Sequence, residues 1–150
     1  MEPDEHWQED GMDTLAETSV LERIIRAVND HDLDGLVDCF ADDVRSETPA
    51  HPARSFVGRD QVRRNWTQIF AAVRDIQATV IRRTVSDGLV WAELEFSGHR
   101  PDGSPHLMRG VTINGIDAGR VVFLRFYMEP VDTAGLGADA AVREIVGAGR

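Results

Sequence analysis

The sequence predicts an α+β domain in which helices come first and pack on one face of a curled antiparallel sheet. Two observations support this class. Apolar residues recur with helical spacing up to about residue 73, and the period changes from Ile76 onward. Short turns rich in glycine then separate the predicted strands, which indicates antiparallel neighbours. A chain of 150 residues has the usual length of one such domain.

The first helix is predicted from Thr14 to about Asn29. Thr14 and Glu17 have the spacing of a capping box, and an apolar stripe follows. That stripe is Leu21, Ile24, Ile25 and Val28. A second, shorter helix begins after Asp32, which can cap it. Its inner side carries Leu33, Leu36, Val37 and Phe40.

A short strand is predicted over Val44 to Thr48, and Pro49 closes it because proline cannot donate to a strand ladder. Residues 49–54 form a proline-punctuated loop before a third helix, from about Arg59 to Val73. The stripe of this helix is Val62, Trp66, Ile69, Phe70 and Val73. A Trp and a Phe on one helix face would cover a wide sheet.

Four further strands complete the sheet as an antiparallel meander. They are predicted over about 77–86, 89–98, 105–115 and 121–128. Asp87-Gly88 is a strong hairpin signal, and the Pro-Asp-Gly-Ser run at 101–104 is a turn by composition. The run Asp117-Ala118-Gly119 closes the last hairpin.

The last strand has two different faces. Alternation puts Val122, Leu124, Phe126 and Met128 on one of them. The other carries Val121, Phe123, Arg125, Tyr127 and Glu129. One apolar face suits packing on helices, while an aromatic and charged face suits a partner. We therefore expect a homodimer contact at Arg125 and Tyr127, with a place for Arg125 in a pocket as the alternative.

Composition divides the chain into a tail, a domain and a second tail. Residues 1–13 carry six acidic side chains and no Lys or Arg, so we expect a disordered acidic tail. The domain is predicted over residues 14–132. Residues 133–150 are rich in Gly and Ala and are predicted to be flexible, with room for one weak helix around Ala138 to Val146.

The charge and the hydropathy pattern exclude several classes of partner. A net charge of -10 and a pI near 4.8 argue against nucleic acid, whose binding requires clustered Lys and Arg. No run of about 18 apolar residues and no charged-then-apolar leader is present, so we expect no membrane partner and a cytoplasmic location. The single cysteine, Cys39, is expected to be a packed structural residue in a reducing compartment.

No motif for a metal or a cofactor is found. The five histidines form no HExxH motif and no paired ligand spacing, and one cysteine cannot build a thiolate zinc site. The sequence also lacks a glycine-rich phosphate loop, a GxSxG elbow and a nucleotide fingerprint. We therefore expect no metal and no cofactor.

Three segments of the chain form a recognisable set: HDLDGLVDCFADDV (31–44), FVGRDQVRRNW (56–66) and GRVVFLRFYMEP (119–130). Together they resemble the SnoaL-like branch of the nuclear transport factor 2 superfamily, and the likeness covers residues 18–131. The resemblance implies a cone-shaped, strongly bent sheet wrapped by three helices, a deep pocket between them, and a homodimer. Members include ketosteroid isomerases, polyketide cyclases, limonene epoxide hydrolases, dehydratases and noncatalytic domains, so the fold alone does not name the reaction.

Two acids of the family's enzymes are replaced in this sequence. The aspartate on the last strand of cyclases and epoxide hydrolases corresponds to Phe126, and the ketosteroid isomerase base corresponds to Thr48. The family's pocket face otherwise implies a set of substrate-binding candidates. These are Glu93, Ser97, Met108, Leu124, Phe126 and Met128, together with Trp66 on the third helix and His51 above the pocket mouth. For Trp66 a core position is the alternative, and for His51 a solvated one.

Glu95, His106 and Glu47 are the candidates for catalysis. The resemblance puts Glu95 near an epoxide-hydrolase aspartate and Glu47 near a water-positioning asparagine. A carboxyl group among Leu, Phe and Met side chains is suited to general acid or base work, because desolvation disfavours its charged form. Two alternatives stay open. Glu93 and Glu95 could lie on the outer face of the sheet, paired with Arg109 or Arg125. His106 could be a residue that packs the hairpin.

Two functions follow from these candidates. The first is a cofactor-independent enzyme that isomerises, cyclises, dehydrates or hydrates a hydrophobic carbonyl or epoxide compound, with Glu95 and His106 moving protons. The second is a noncatalytic domain that binds a hydrophobic molecule or dimerises. A mostly apolar cavity with a few polar groups is compatible with both.

Overall fold

The computed structural model describes the backbone of residues 4–148 and the side chains of residues 16–148. Within these residues the chain forms helices and strands in the predicted order. The helices are α1 (Asp4–Asn29), α2 (Leu33–Asp38), α3 (Arg59–Ala72) and α4 (Ala138–Ile145). The strands are β1 (Phe40–Glu47), β2 (Phe56–Val57), β3 (Gln77–Ser86), β4 (Leu89–His99), β5 (Pro105–Asp117) and β6 (Arg120–Pro130). The α+β class is confirmed.

The strands form one curved sheet in the order β2-β1-β6-β5-β4-β3. The last four make the predicted antiparallel meander, with positive φ at Asp87 (54°), Gly88 (74°), Ala118 (49°) and Gly119 (74°) in its tight turns. β1, however, runs parallel to β6, a pairing that the antiparallel prediction does not include. The chain between β1 and β6 contains α3 and three long strands, and it supplies the long crossover that a parallel pair requires.

The helices cover one face of this sheet, which we call the inner face. α1 packs on β3 and β4, α3 packs on β1, and α2 contacts both of these helices. The core between the layers is closed by side chains with no exposed area, including Val28, Leu36, Val44, Val90 and Val121. The stripe predicted for α1 contributes Leu21 and Val28 to this core. The apolar side of the helices and the apolar face of the sheet therefore pack against each other in one layer.

Several element boundaries differ from the prediction. α2 ends at Asp38, and Phe40 already belongs to β1 because it pairs with Val121 of β6. β2 was not predicted; Phe56 and Val57 form it by pairing with Ser46 and Arg45. In both cases the pairing of strands determines where the element begins or ends. Helical periodicity contains no signal for strand pairing.

Alternation along β6 is broken by a bulge near its start. Gly115 pairs with Phe123, but Ile116 pairs with Val121, so Val122 is an extra residue on β6. Val121 consequently lies in the core with Leu124 and Met128, and its predicted position on the opposite face is wrong. Beyond the bulge the alternation of the strand is the predicted one.

The N-terminal end of the chain carries more helix than predicted, and the C-terminal end carries the predicted helix. α1 begins at Asp4 and not at Thr14, so helix runs through most of the segment expected to be a disordered tail, and residues 1–3 lie outside the described residues. The weak C-terminal helix is present as α4. The domain boundaries at residues 14 and 132 stay predictions.

Candidate functional site

A cavity of about 290 Å³ lies between the inner face and α3. This volume is at the lower end of the range of about 300–1,000 Å³ seen for small-molecule pockets. Its wall is mainly apolar and is formed by Phe40, Phe56, Val62, Trp66, Ile69, Ile76, Phe96, Met108, Leu124 and Phe126. Trp66 holds this wall together through an edge contact with Phe96, at 5.8 Å between ring centroids.

Five polar side chains interrupt the apolar wall. Ser46 and Thr48 come from the β1 end of the cavity, Asn65 from α3, Arg54 from the loop before β2, and His106 from β5. Asn65 accepts a hydrogen bond from Gln61 at 2.8 Å through its Oδ1, which leaves its amide nitrogen as a donor. In the order of the sheet, β1 and β5 lie on either side of β6. The hydroxyls and the imidazole therefore flank the Leu124 and Phe126 side chains.

His106 is the titratable group best suited to proton transfer in this cavity. It is half-buried, and its imidazole makes no hydrogen bond within residues 16–148, although its backbone pairs with Gly98 in the sheet. Burial, and secondly the charge of Arg100, hold the pKa of His106 below its usual value of 6.5. The imidazole is therefore mostly neutral at pH 7 and has one ring nitrogen free to accept a proton.

A short 3-10 turn, Pro52–Arg54, forms the rim of the cavity. Two side-chain contacts hold this turn in place. His51 Nε2 lies 2.8 Å from Glu129 Oε1 at the end of β6. The Thr48 backbone N–H donates to Ser55 Oγ at 3.0 Å. Arg54 is solvent-exposed and lines the cavity at the same time, so its guanidinium lies at the opening.

The predicted pocket carboxylates do not reach the cavity. Glu95 and Glu93 lie on the outer face of the sheet, where Glu95 accepts from Arg109 at 2.7 Å and Glu93 pairs with Arg82 at 2.9 Å. Their predicted positions in the pocket, and that of Ser97, are wrong. Glu95 is the direct partner of Arg109 across the strands, so it cannot share a face with His106 and Met108. The outer-face alternative is the correct one.

Glu47 is also on the outer face. Its Oε2 lies 3.4 Å from Arg125 Nε, close enough for attraction between charges. The Nε atom is nevertheless buried and has no hydrogen-bond acceptor within the described side chains. The attraction is therefore not a hydrogen bond, and the predicted pocket position of Glu47 is wrong because the strand pleat directs Ser46 and Thr48 inward instead.

Five of the remaining candidates line the cavity and two do not. The five are Trp66, His106, Met108, Leu124 and Phe126. Met128 is 2% exposed and belongs to the core, while His51 is engaged with Glu129 at the rim. The predicted place of Met128 in the pocket lining is therefore wrong. His51 lies at the pocket mouth, as predicted, and its role in substrate binding stays a prediction.

Sequence reasoning missed Phe96 and four of the polar groups, namely Ser46, Arg54, Asn65 and Thr48 as a hydroxyl donor. One signal was available: Val44, Ser46 and Thr48 alternate on β1, and Val44 is fully buried, so the two hydroxyls share its inward side. Arg54 and Asn65 had no comparable signal, because their positions depend on how the loop and α3 pack.

The other candidate sites are structural. Cys39 is buried, its Sγ donates to Gly35 O at 3.3 Å, and burial raises the pKa of its thiol, as expected for a packed residue.

No group of three or more His, Cys, Asp or Glu side chains in the described part of the chain is arranged to hold a metal ion. None of the described helices is long and apolar enough to cross a membrane.

Comparisons with known proteins agree with this architecture. A family model described as a SnoaL-like domain matches residues 21–124. Among curated proteins, no sequence matches the chain. Similar solved structures include an LEH-like epoxide hydrolase of Mycobacterium tuberculosis, with a TM-score of 0.67, 16% identity, and coverage of 77% of this chain and 84% of that one.

Two further structures were determined with small molecules bound. The protein RV0760c of M. tuberculosis, in complex with estradiol-17beta-hemisuccinate, has a TM-score of 0.65 and 22% identity over 75% of this chain and 92% of that one. A ketosteroid isomerase-like protein of Catenulispora acidiphila, in complex with trimethylamine, has a TM-score of 0.63 and 16% identity over 72% and 84%. At these identities the likeness establishes the fold alone.

Proposed function

Because the chain belongs to the SnoaL-like domain family, whose model matches residues 21–124, we propose that its cavity binds a small hydrophobic molecule and that His106 exchanges protons with it. One observation carries this proposal: a half-buried imidazole without a hydrogen-bond partner faces a cavity whose wall is otherwise mainly apolar. An imidazole that makes no hydrogen bond within the protein is free to exchange a proton with a ligand.

The proposed chemistry is cofactor-independent acid/base catalysis on a hydrophobic carbonyl or epoxide compound. Neutral His106 removes a proton from carbon next to a carbonyl group and returns it at a second position, as in an isomerisation or cyclisation. The hydroxyls of Ser46 and Thr48 donate hydrogen bonds to the oxygen on which negative charge develops. Strands β1 and β5 are two spacings apart, about 10 Å between axes, and the side chains narrow this gap.

The relatives support the class of ligand. RV0760c was determined with a steroid ester and the C. acidiphila protein with an amine, so this fold accommodates small molecules in other chains. The LEH-like relative is an epoxide hydrolase. The proposal for this chain depends on its own lining residues, because the carboxylates it was expected to use are on the outer face.

Hydrogen exchange on a ketone tests the proposal without knowledge of the natural substrate. The protein is incubated with 1-tetralone in D2O, and loss of the α-proton signal is followed by NMR. We expect catalysed exchange that His106→Asn lowers by about 100-fold or more. The matched control is His99→Asn, since His99 is exposed and its Nδ1 lies 2.6 Å from Asp75. Equal loss in both variants would contradict the role of His106.

A second candidate function is noncatalytic binding in the same cavity. It is favoured by the absence of any carboxylate from the described lining residues, since general acid/base enzymes often pair an imidazole with a carboxylate. In this case 1-tetralone binds, its α-protons exchange at the uncatalysed rate, and the compound is recovered unaltered.

We also propose a homodimer formed through the outer face. Trp91 and Tyr127 are exposed on this face, at 42% and 40%. They lie on β4 and β6, neither of which is an edge strand of the sheet. Charge pairs such as Arg109 with Glu95 border these aromatic groups. Aromatic and Arg anchors inside a polar rim are typical of twofold contacts.

A further inference from the structure

We propose that the cavity selects a hydrophobic monocarboxylate, with the apolar body of the ligand inside and its carboxylate bound by Arg54 at the rim. This inference rests on the proposed function, because it names the class of molecule that the cavity takes. It depends on Arg54, which has no role in the proposed proton transfer.

Arg54 is the arginine that lines the cavity, and its charge is not neutralised by any described side chain. Neither an ion pair nor a side-chain hydrogen bond involves it within residues 16–148. By contrast, Arg63 lies 2.8 Å from Asp34 and Arg83 lies 3.1 Å from Glu22. In a chain with a net charge of -10, carboxylates are plentiful. The Arg54 guanidinium is exposed at the cavity opening and has no partner there, so it is available to an anion that enters the opening.

The carboxylates at the ends of β6 and β1, the two strands to which the rim turn is tied, are already engaged. Glu129, at the end of β6, is bound by His51 at 2.8 Å. Glu47, at the end of β1, is held near Arg125 on the outer face. The described lining of the cavity contains no carboxylate. A negative charge for Arg54 can therefore come from a molecule that enters the opening.

The rim geometry holds Arg54 at that opening. Its backbone N–H donates to His51 O at 2.9 Å, and Ser55 N–H donates to Pro52 O at 3.0 Å, which closes the 3-10 turn. The turn is tied to β1 through Ser55 and to β6 through His51. A guanidinium on an anchored turn loses less freedom when it binds, which favours recognition of a planar anion.

The number of charges favours a single carboxylate over a phosphate. Arg54 is the one permanent cation in the described lining. His106 stays mostly neutral near pH 7, because burial lowers its pKa. A phosphate with nearly two negative charges would leave one of them uncompensated against an apolar wall. A carboxylate matches one guanidinium with two parallel hydrogen bonds.

Two probes of the same shape test this inference. Binding of 1-naphthaleneacetate and of 1-naphthaleneacetamide is measured by isothermal titration calorimetry at pH 7.5, where the first is an anion and the second is neutral. We expect the anion to bind about tenfold more tightly, the size of one charge-assisted interaction. Arg54→Gln should abolish this preference by weakening the anion and leaving the amide within about twofold, whereas Arg54→Lys should retain part of it.

Arg74→Gln is the matched control. Arg74 is exposed, also lacks an ion pair among the described side chains, and lines a separate surface groove with Asp75 and His99. The same loss of preference in Arg74→Gln would attribute the effect to overall charge and overturn the inference. Equal affinity of both probes for the unaltered protein would overturn the inference and leave the proposed function intact. Binding of neither probe would overturn both.

Discussion

Charged side chains on the outer face of the sheet form ion pairs, whereas the described polar groups that line the cavity on the inner face do not. On the outer face, Glu95 and Glu93 are paired with arginines of neighbouring strands at 2.7 and 2.9 Å. On the inner face, His106 and Arg54 line an apolar cavity and have no hydrogen-bond partner within the described side chains. Paired surface charges contribute little to stability and suit solvent or a partner, while unpaired groups in a cavity are available to a ligand. The difference supports the proposal that a ligand binds on the inner face.

Leu94 and Glu95 are consecutive residues on opposite faces, and they provide the largest expected contrast. Leu94 is 4% exposed in the core, so Leu94→Ala should lower the free energy of unfolding by about 2–5 kcal/mol. Glu95→Gln removes a partly exposed pair and should cost less than about 1 kcal/mol. Urea denaturation measures both values.

The same two variants also test the site. Glu95→Gln should leave 1-tetralone exchange unchanged, because Glu95 does not line the cavity. Loss of exchange in a Glu95→Gln protein with an unaltered unfolding curve would contradict the assignment of the two faces.

The fold was predictable because its main signals are local. The α1 stripe, the α3 stripe and the Asp87-Gly88 turn each follow from residues close in sequence, and each is present. The bulge at Val122 and the parallel pairing of β1 with β6 involve residues far apart in the chain. No periodicity rule contains that information, so those features were missed.

The candidate site was predictable only in part, because pleat parity decides which side chains enter it. Met108, Leu124 and Phe126 were assigned to the correct face, and Glu95 to the wrong one. A shift of one residue in the alignment of β4 with β5 accounts for the error, since neighbouring residues on a strand point to opposite sides. The position of Arg54 depends on the His51 and Ser55 contacts of its turn. Composition and spacing contain no information about these contacts.

Removal of an outer-face aromatic side chain should weaken self-association. If Tyr127 anchors the proposed dimer, Tyr127→Ala should cost about 2 kcal/mol of association free energy, or roughly 30-fold in the dissociation constant. Sedimentation equilibrium measures this constant. Ile145→Ala is the control, since Ile145 is 83% exposed on α4, away from the sheet. A monomer at all concentrations of the unaltered protein would contradict the proposed contact.

The pH dependence of proton exchange gives the smallest expected effect. Burial, and secondly Arg100, lower the pKa of His106, and the neutral imidazole is the reactive base. Exchange should therefore be at its full rate near pH 7 and fall about tenfold per unit as pH drops below the lowered value, which lies under 6.5. A loss of activity with a midpoint above 6.5 would assign the reaction to a different group.

Titration of the histidines by NMR tests the central claim most directly, that His106 is a neutral base exposed to a ligand in the inner cavity. With ring-labelled histidine, His106 should titrate below 6.5, and its resonances should shift when N-phenyl-1-naphthylamine, a neutral apolar probe, is added. The exposed His99, whose Nδ1 lies 2.6 Å from Asp75, is outside the cavity lining and should not respond. A probe that binds and shifts His99 but leaves His106 unchanged would contradict the account.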